Sequence, residues 1–169
     1  FRTLLAESSS ETKKYLLASK IEDMINTVVR QISFFEFEKL VHNERKNGEL
    51  SSDQICEFWM KTQSESLGPH IELTEGYKYF WTYIPHFIHT PFYVYAYAFG
   101  DCLVNVLIQL YDEGLPDFKN NYIELLRSGG SKHYSEVLKP FNVDLKNKDS
   151  WQKGLSMISG LIDEFEKAI

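Results

Sequence analysis

A stretch without any charged side chain, residues 84–100, constrains this chain more than any other segment. Thr90 and Pro91 suit the start of a helix, since a threonine hydroxyl can accept a free backbone N–H and proline has none to leave unpaired. Gly114 is a typical helix end. The pattern therefore predicts an apolar, aromatic-rich helix over residues 91–113, and a helix that is apolar nearly all round belongs at the centre of a fold.

The same stretch carries two histidines, His86 and His89, in the predicted turn before this helix. Imidazoles beside the positive end of a helix dipole are sensitive to small changes in environment. However, tyrosines and phenylalanines at helical spacing are more often part of a hydrophobic core than of a catalytic array. Residue types and spacing alone therefore assign no function to these histidines.

The aromatic stretch matches a longer motif, W-x-x-I-P-H-F followed by F-Y-V-Y-x-Y-A-x-G, through Trp81, Ile84, Pro85, His86, Phe87, Phe92, Tyr93, Val94, Tyr95, Tyr97, Ala98 and Gly100. Further matches lie on both sides of this stretch, at Arg30, Gln31, Phe34, Glu38, Leu125, Leu126, Gly129, Gly130, Ser131, Val143, Asp144, Leu145, Trp151, Gly154 and Leu155. In these features the chain resembles the oligoendopeptidase F family, which belongs to the thimet-oligopeptidase-like zinc endopeptidases. The resemblance covers nearly the whole chain.

The resemblance implies a zinc enzyme, but the chain lacks the motif that binds the metal. Members of the family hold zinc through the two histidines of H-E-x-x-H and a later glutamate, while the glutamate of the motif activates a water. The sequence contains no H-E-x-x-H and no two histidines four residues apart. The expectation is therefore the C-terminal part of such a peptidase, inactive alone and without bound zinc. The missing N-terminal part would supply the zinc ligands and the general base.

The resemblance also implies what this part contributes to catalysis. In the family, a histidine and one or two tyrosines near F-Y-V-Y donate hydrogen bonds to the scissile carbonyl oxygen as it becomes an oxyanion. His86 matches the histidine, and Tyr93 and Tyr95 match the tyrosines. His89 and Tyr97 are expected to bind the substrate. Because Tyr93 and Tyr95 lie two residues apart and cannot share a helix face, the choice between them stays open.

Periodicity predicts an all-α fold, with six or seven helices around the central aromatic-rich helix. No segment shows the sustained alternation of a strand. Residues 11–43 have one long helical pattern, and Ser51 with Gln54 forms a capping box for the next helix. The expected organisation is a single helical domain over residues 1–169, the C-terminal portion of a peptidase catalytic region.

Composition excludes several partners. A net charge of -6 without a cluster of basic residues argues against nucleic acid, and no apolar run is long enough for a membrane span. Cys56 and Cys102 have no metal-like spacing and are expected to be buried free thiols of a cytoplasmic protein. As partners, the resemblance implies an oligopeptide substrate and the missing N-terminal part. An exposed apolar surface would also allow association with a second copy.

A second class of function stays open. The chain can also be a non-catalytic helical module that kept the scaffold and binds a peptide or another protein through the aromatic stretch. An H-E-x-x-H upstream of Phe1 would favour the enzyme, and its absence would favour the module.

Overall fold

The computed structural model describes residues 1–168, and in that range it contains helices and no strand. The α-helices are Arg2–Glu7 (α1), Ser10–Thr27 (α2), Val29–Glu44 (α3), Ser52–Leu67 (α4), His86–His89 (α5), Tyr95–Asp112 (α6), Phe118–Ser128 (α7), Tyr134–Val137 (α8) and Lys148–Ala168 (α9). Two short 3₁₀-helices span Glu75–Tyr83 and Lys139–Phe141. The all-α prediction is confirmed. Over the same described residues, no helix combines the length and the hydrophobicity needed to cross a bilayer.

The chain divides into two compact units. The aromatic unit is Glu22–Phe99, and the terminal unit combines Phe1–Ile21 with residues 100–168. The aromatic unit contains every residue for which the sequence predicts a catalytic or substrate-binding role. It is therefore the unit that holds the candidate site.

The single helix predicted for residues 11–43 is wrong, because the structure breaks it at Val28. α2 ends at Thr27, and α3 begins at Val29. Three consecutive β-branched residues lie at this break, and such residues lose side-chain freedom in a helix. Val28 is 1% exposed, so its side chain is part of the core at this break.

The core of the aromatic unit is built from rings. Trp59 of α4 is fully buried, and its ring centroid lies 5.3 Å from that of Phe34 and 5.2 Å from that of Phe37. Phe87, in α5, packs against the same rings at 5.8 Å from Phe34 and 5.1 Å from Phe37. α5 is therefore attached to α3 through Phe87. The predicted capping box that opens α4 at Ser51 is confirmed.

α6 begins at Tyr95, so its predicted start at the Thr-Pro pair is wrong. Thr90 ends α5 instead of capping α6, and its carbonyl oxygen accepts the N–H of Tyr93 at 3.1 Å. Phe92 then adopts a left-handed backbone with a φ of 62°, which a right-handed helix cannot include. A carboxylate oxygen of Glu38, on α3, accepts the Phe92 N–H at 2.8 Å. The backbone N–H of Phe92 is therefore bonded by a distant residue and is not part of the first turn of a helix.

Glu38 is an ionisable side chain inside the aromatic unit, with 2% of its surface exposed. Burial raises its pKa above the ordinary value of 4.5. The Phe92 N–H and the charges of His42 and His86 lower the pKa and offset part of this effect. Its second oxygen, Oε2, has no hydrogen-bond partner in the part of the chain that the structure describes.

In the terminal unit, the second half of α6 packs against the chain that follows it. The buried side chains of this core are Val106, Leu107, Leu110, Leu138, Phe141 and Val143. α6 ends at Asp112, and Gly114 follows with a φ of 76°, as its predicted role as a helix end requires. α9 approaches α6 closely at Gly154, where a Cβ atom would lie 2.6 Å from the carbonyl oxygen of Cys102.

The prediction of buried free thiols is confirmed for Cys56 and Cys102. Burial raises the pKa of the Cys102 thiol to about 11.

The close approach of α9 to α6 predicts that Gly154→Ala lowers the free energy of unfolding by about 1–3 kcal/mol. The new methyl group would meet a backbone carbonyl, which cannot turn away as a flexible side chain can. Gly160→Ala is the matched control on the same helix, since nothing lies within 4 Å of its Cβ position. It should raise stability by about 0.5–1 kcal/mol. Urea denaturation measures both, and equal effects would contradict the prediction.

The buried carboxylate predicts a pH-dependent effect of Glu38→Gln. Because the folded-state pKa of Glu38 is raised, the folded state binds this proton more tightly than the unfolded state. The free energy of unfolding of the unsubstituted chain therefore falls as pH rises above 4.5 through the raised pKa. The glutamine variant lacks this loss, so its free energy of unfolding, relative to that of the unsubstituted chain, should grow as pH rises above 4.5. Glu36→Gln, an exposed site on the same helix, is the control, and the same trend in both variants would refute the assignment.

Candidate functional site

Three aromatic side chains of the predicted site come together in the aromatic unit. The Nε2 atom of His86 lies 3.0 Å from the hydroxyl oxygen of Tyr97. The rings of His86 and Tyr93 are nearly parallel, with an interplanar angle of 3° and centroids 6.1 Å apart. The ring of Tyr97 stands edge-on to both, at 5.7 Å from each. We refer to His86, Tyr93 and Tyr97 as the His86 cluster.

Local sequence explains why these side chains share one side of the unit. Phe87 and Val94 point into the core, and their chain neighbours His86 and Tyr93 stay at the surface. Tyr93 and Tyr97 are four residues apart, so one turn of chain brings their rings together. Tyr93 is 52% exposed and Tyr97 is 41% exposed. The cluster is therefore open to a ligand.

The hydrogen bond between His86 and Tyr97 has two forms, which differ in the proton that remains available. When Nε2 of His86 carries the proton, it donates to the Tyr97 oxygen, and the Tyr97 hydroxyl is free to donate to a ligand. In the other tautomer, Nε2 accepts the Tyr97 proton. Tyr93 presents a second phenol beside them. The arrangement can thus offer neutral hydrogen-bond donors to an oxygen atom that gains negative charge.

The other two predicted site residues lie apart from this cluster. The ring of Tyr95 packs edge-on against Phe35, with centroids 5.7 Å apart. His89 is exposed at the C-terminal end of α5. The contacts found among residues 1–168 join neither side chain to the cluster. Tyr95 and His89 therefore stay predictions without a geometric link to His86.

Glu38 is the residue of this region to which sequence reasoning gave no role. It bonds to the residue before Tyr93, and its pKa responds to the charge of His86. The sequence did contain a signal for this role. Glu38 shares an apolar helix pattern with Phe34, Phe37 and Val41, which predicts that it is buried. A buried glutamate is rare unless it has a partner, so the pattern also predicts a bonding partner for its carboxylate.

A cavity of about 310 Å³ lies beside Glu38 in the same unit. Its walls are mostly apolar, and its polar residues are Glu38, His42 and Arg45. The remaining lining residues are Phe37, Val41, Ile55, Trp81, Phe87 and Ile88. A space of this size and lining suits an apolar side chain of a ligand.

Zinc, which the resemblance implies, does not fit the residues of this chain. No three His, Cys, Asp or Glu side chains within residues 1–168 are grouped as metal ligands. The His86 cluster itself offers one imidazole and two neutral phenols, and phenols are not among the usual zinc ligands. The His86 cluster therefore presents hydrogen-bonding groups and not a complete set of zinc ligands.

Curated proteins of known name are similar to this chain over most of its length. The chain is 31% identical over 162 residues to a protein named oligoendopeptidase F homolog from Borreliella burgdorferi, covering 95% of this chain and 27% of the relative. It is 30% identical over 157 residues to oligopeptidase PepF from Bacillus subtilis, covering 92% of this chain and 23% of the relative. The chain thus spans about a quarter of the length of these curated relatives.

Solved structures show the same similarity. The crystal structure of oligoendopeptidase-F from Enterococcus faecium superposes with a TM-score of 0.89 at 28% identity, over 99% of this chain and 32% of that one. A putative peptidase from Chlamydophila abortus gives a TM-score of 0.87 at 28% identity, over 99% of this chain and 28% of that one. The model of the family described as Peptidase family M3 matches residues 2–157. Because this match spans most of the sequence, the chain belongs to peptidase family M3.

Proposed function

We propose that this chain is the C-terminal part of a zinc endopeptidase that hydrolyses peptide bonds in oligopeptides. Its role would be to donate hydrogen bonds to the scissile carbonyl oxygen from the His86 cluster. The 3.0 Å contact between His86 and Tyr97 is the observation that carries this proposal, because it fixes a phenol at an open surface. The zinc ligands and the general base would belong to residues outside this chain.

The proposed chemistry requires donors that are in place before charge develops. Phenol hydroxyls are neutral donors at pH 7, so they can serve an oxyanion without having to exchange a proton first. A preorganised donor of this kind contributes about 3 kcal/mol to transition-state stabilisation. In the cluster, His86 forms a hydrogen bond with the Tyr97 hydroxyl, and the ring of Tyr93 lies parallel to the imidazole with its centroid 6.1 Å away.

The geometry favours Tyr93 and Tyr97 over Tyr95 as the oxyanion donors. Tyr95 rests against Phe35, away from the ring contacts of the cluster. His89 is exposed at the C-terminal end of α5, three residues after His86 in the chain. We propose that His89 contacts the peptide next to the scissile bond.

The proposed partners are an oligopeptide and the rest of the longer protein. Around α5, Tyr83 is 81% exposed and Ile88 is 71% exposed. Large apolar side chains with this exposure are typical of surfaces that another surface covers. We assign them to contacts with the part of the peptidase that this chain does not contain.

Substitutions in the complete peptidase test the donor role. Tyr97→Phe and His86→Ala should each lower kcat by about a hundredfold or more and change KM little, since the lost interaction is made in the transition state. Tyr93→Phe and Tyr95→Phe rank the remaining phenols, and Tyr79→Phe, at an exposed site outside the cluster, is the control. A rise in KM at constant kcat in the cluster variants would contradict the donor role.

Zinc content gives a test that needs no activity. After dialysis against trace zinc, elemental analysis of this chain alone should find well below one zinc per chain, because its described residues group no ligand set. The complete peptidase should retain zinc and lose hydrolysis when a chelator removes it. One tightly held zinc in this chain would refute the assignment of the metal site to other residues.

A non-catalytic helical module is the second candidate. The apolar cavity beside Glu38 favours this candidate, because none of the residues that line the cavity belongs to the His86 cluster. A ligand could therefore bind there without the cluster. A complete protein that binds an oligopeptide in calorimetry, yet never hydrolyses it with zinc present, would establish this alternative.

A further inference from the structure

We propose that Glu38 is a positioning residue that fixes the turn before α6 and, through it, the His86 cluster. One of its carboxylate oxygens, Oε1, accepts the N–H of Phe92 at 2.8 Å, and the next residue is Tyr93. Glu38 and Phe92 are 54 positions apart in the chain, so no local pattern supplies this contact. The inference rests on the proposed role of the cluster, and it goes beyond that role by assigning the residue that orients it.

Fold stability alone does not explain a glutamate at this position. The side chain is 2% exposed, and Oε2 has no hydrogen-bond partner among the described residues. A buried carboxylate with one unsatisfied oxygen is unfavourable, whereas methionine, of similar length, would fill the same space without that cost. What a methionine cannot provide is an acceptor for the Phe92 N–H.

The backbone conformation of Phe92 is unfavourable for its residue type, so it requires stabilising contacts such as this hydrogen bond. Its φ of 62° lies in the left-handed region, which bulky side chains rarely adopt. The other non-glycine residues with positive φ among residues 1–168 are Asp117 and Asn142, types that tolerate this region better. Phe92 is therefore held by its surroundings rather than by its own preference.

Three contacts of Phe92 come from α3. Besides the bond to Glu38, its ring centroid lies 4.8 Å from that of His42 and 6.2 Å from that of Phe35. The direction in which the chain leaves Phe92 determines where the Tyr93 ring lies. That ring is parallel to His86 and edge-on to Tyr97, so a change in the turn would alter both contacts of the proposed donors.

Glu38→Met and Glu38→Gln form a matched pair that separates the acceptor from the rest of the side chain. Methionine removes the acceptor and keeps the length, whereas glutamine keeps a carbonyl oxygen that can still accept the Phe92 N–H. Glu36→Met makes the same chemical change at an exposed site on α3, where the glutamate pairs with Lys39. The readouts are amide hydrogen exchange at Phe92 and Tyr93 and the NMR chemical shifts of the His86 ring protons, which sense the stacked Tyr93 ring.

We expect Glu38→Met to speed exchange of the Phe92 amide by about tenfold or more and to shift the His86 ring protons, since a bond to a charged acceptor is lost. Glu38→Gln should stay close to the unsubstituted chain, and Glu36→Met should match it. Unchanged exchange and ring shifts in a folded Glu38→Met variant would overturn the proposal. If that variant does not fold, the unsubstituted chain decides, because a Phe92 amide that exchanges at the rate of an unstructured peptide also overturns it.

Activity of the complete peptidase provides a second test of the positioning role of Glu38. Glu38→Met should lower kcat by about tenfold with KM little changed, and Glu38→Gln should restore most of kcat. A normal kcat in Glu38→Met beside a low kcat in His86→Ala would overturn the positioning role. A normal kcat in both variants would instead refute the proposed function, and the exchange and ring-shift measurements would then decide the positioning role alone.

Discussion

Burial of the Trp59 ring is the interaction on which the aromatic unit depends. The ring is fully buried between Phe34 and Phe37, and its Nε1 donates to the carbonyl oxygen of Tyr77 at 3.0 Å. That bond ties the 3₁₀ segment before α5 to α4, while Phe87 inserts among the same rings. Because Phe87 is the neighbour of His86, the position of the imidazole is determined by core packing and not by a surface loop. A site on such a base can be rigid even though its polar atoms are exposed.

Sequence patterns succeeded where near neighbours determine the backbone. The capping box at Ser51 and the helix end at Gly114 each need only a few adjacent residues, and both predictions are confirmed. The same rules failed at Thr90 and Pro91, a favourable helix start, because Glu38 and Phe92 impose a left-handed residue just after it. No window of local sequence includes both partners, so this hydrogen bond was beyond the reach of pattern analysis.

The candidate site shows the same limit. The motif singled out His86, Tyr93, Tyr95 and Tyr97, but spacing alone could not show which of them meet. Tyr93 precedes α6, yet it shares a side with Tyr97 as residues four apart in a helix would. The contact between His86 and Tyr97 joins α5 to α6 across a turn whose shape depends on Glu38. Residue types were therefore predictable from the sequence, and their partners were not.

The exposure of the His86 cluster is the reason why we assign part of the proposed site to residues outside this chain. A hydrogen bond made in water exchanges one partner for another and contributes little, whereas the same bond in a water-excluded site is much stronger. Tyr93 and Tyr97 keep about half of their surface in solvent. Their rings are in place, but their surroundings still have a high dielectric constant. An oxyanion there would be stabilised strongly only when a second surface and the substrate displace the water, which is the role we assign to the rest of the peptidase.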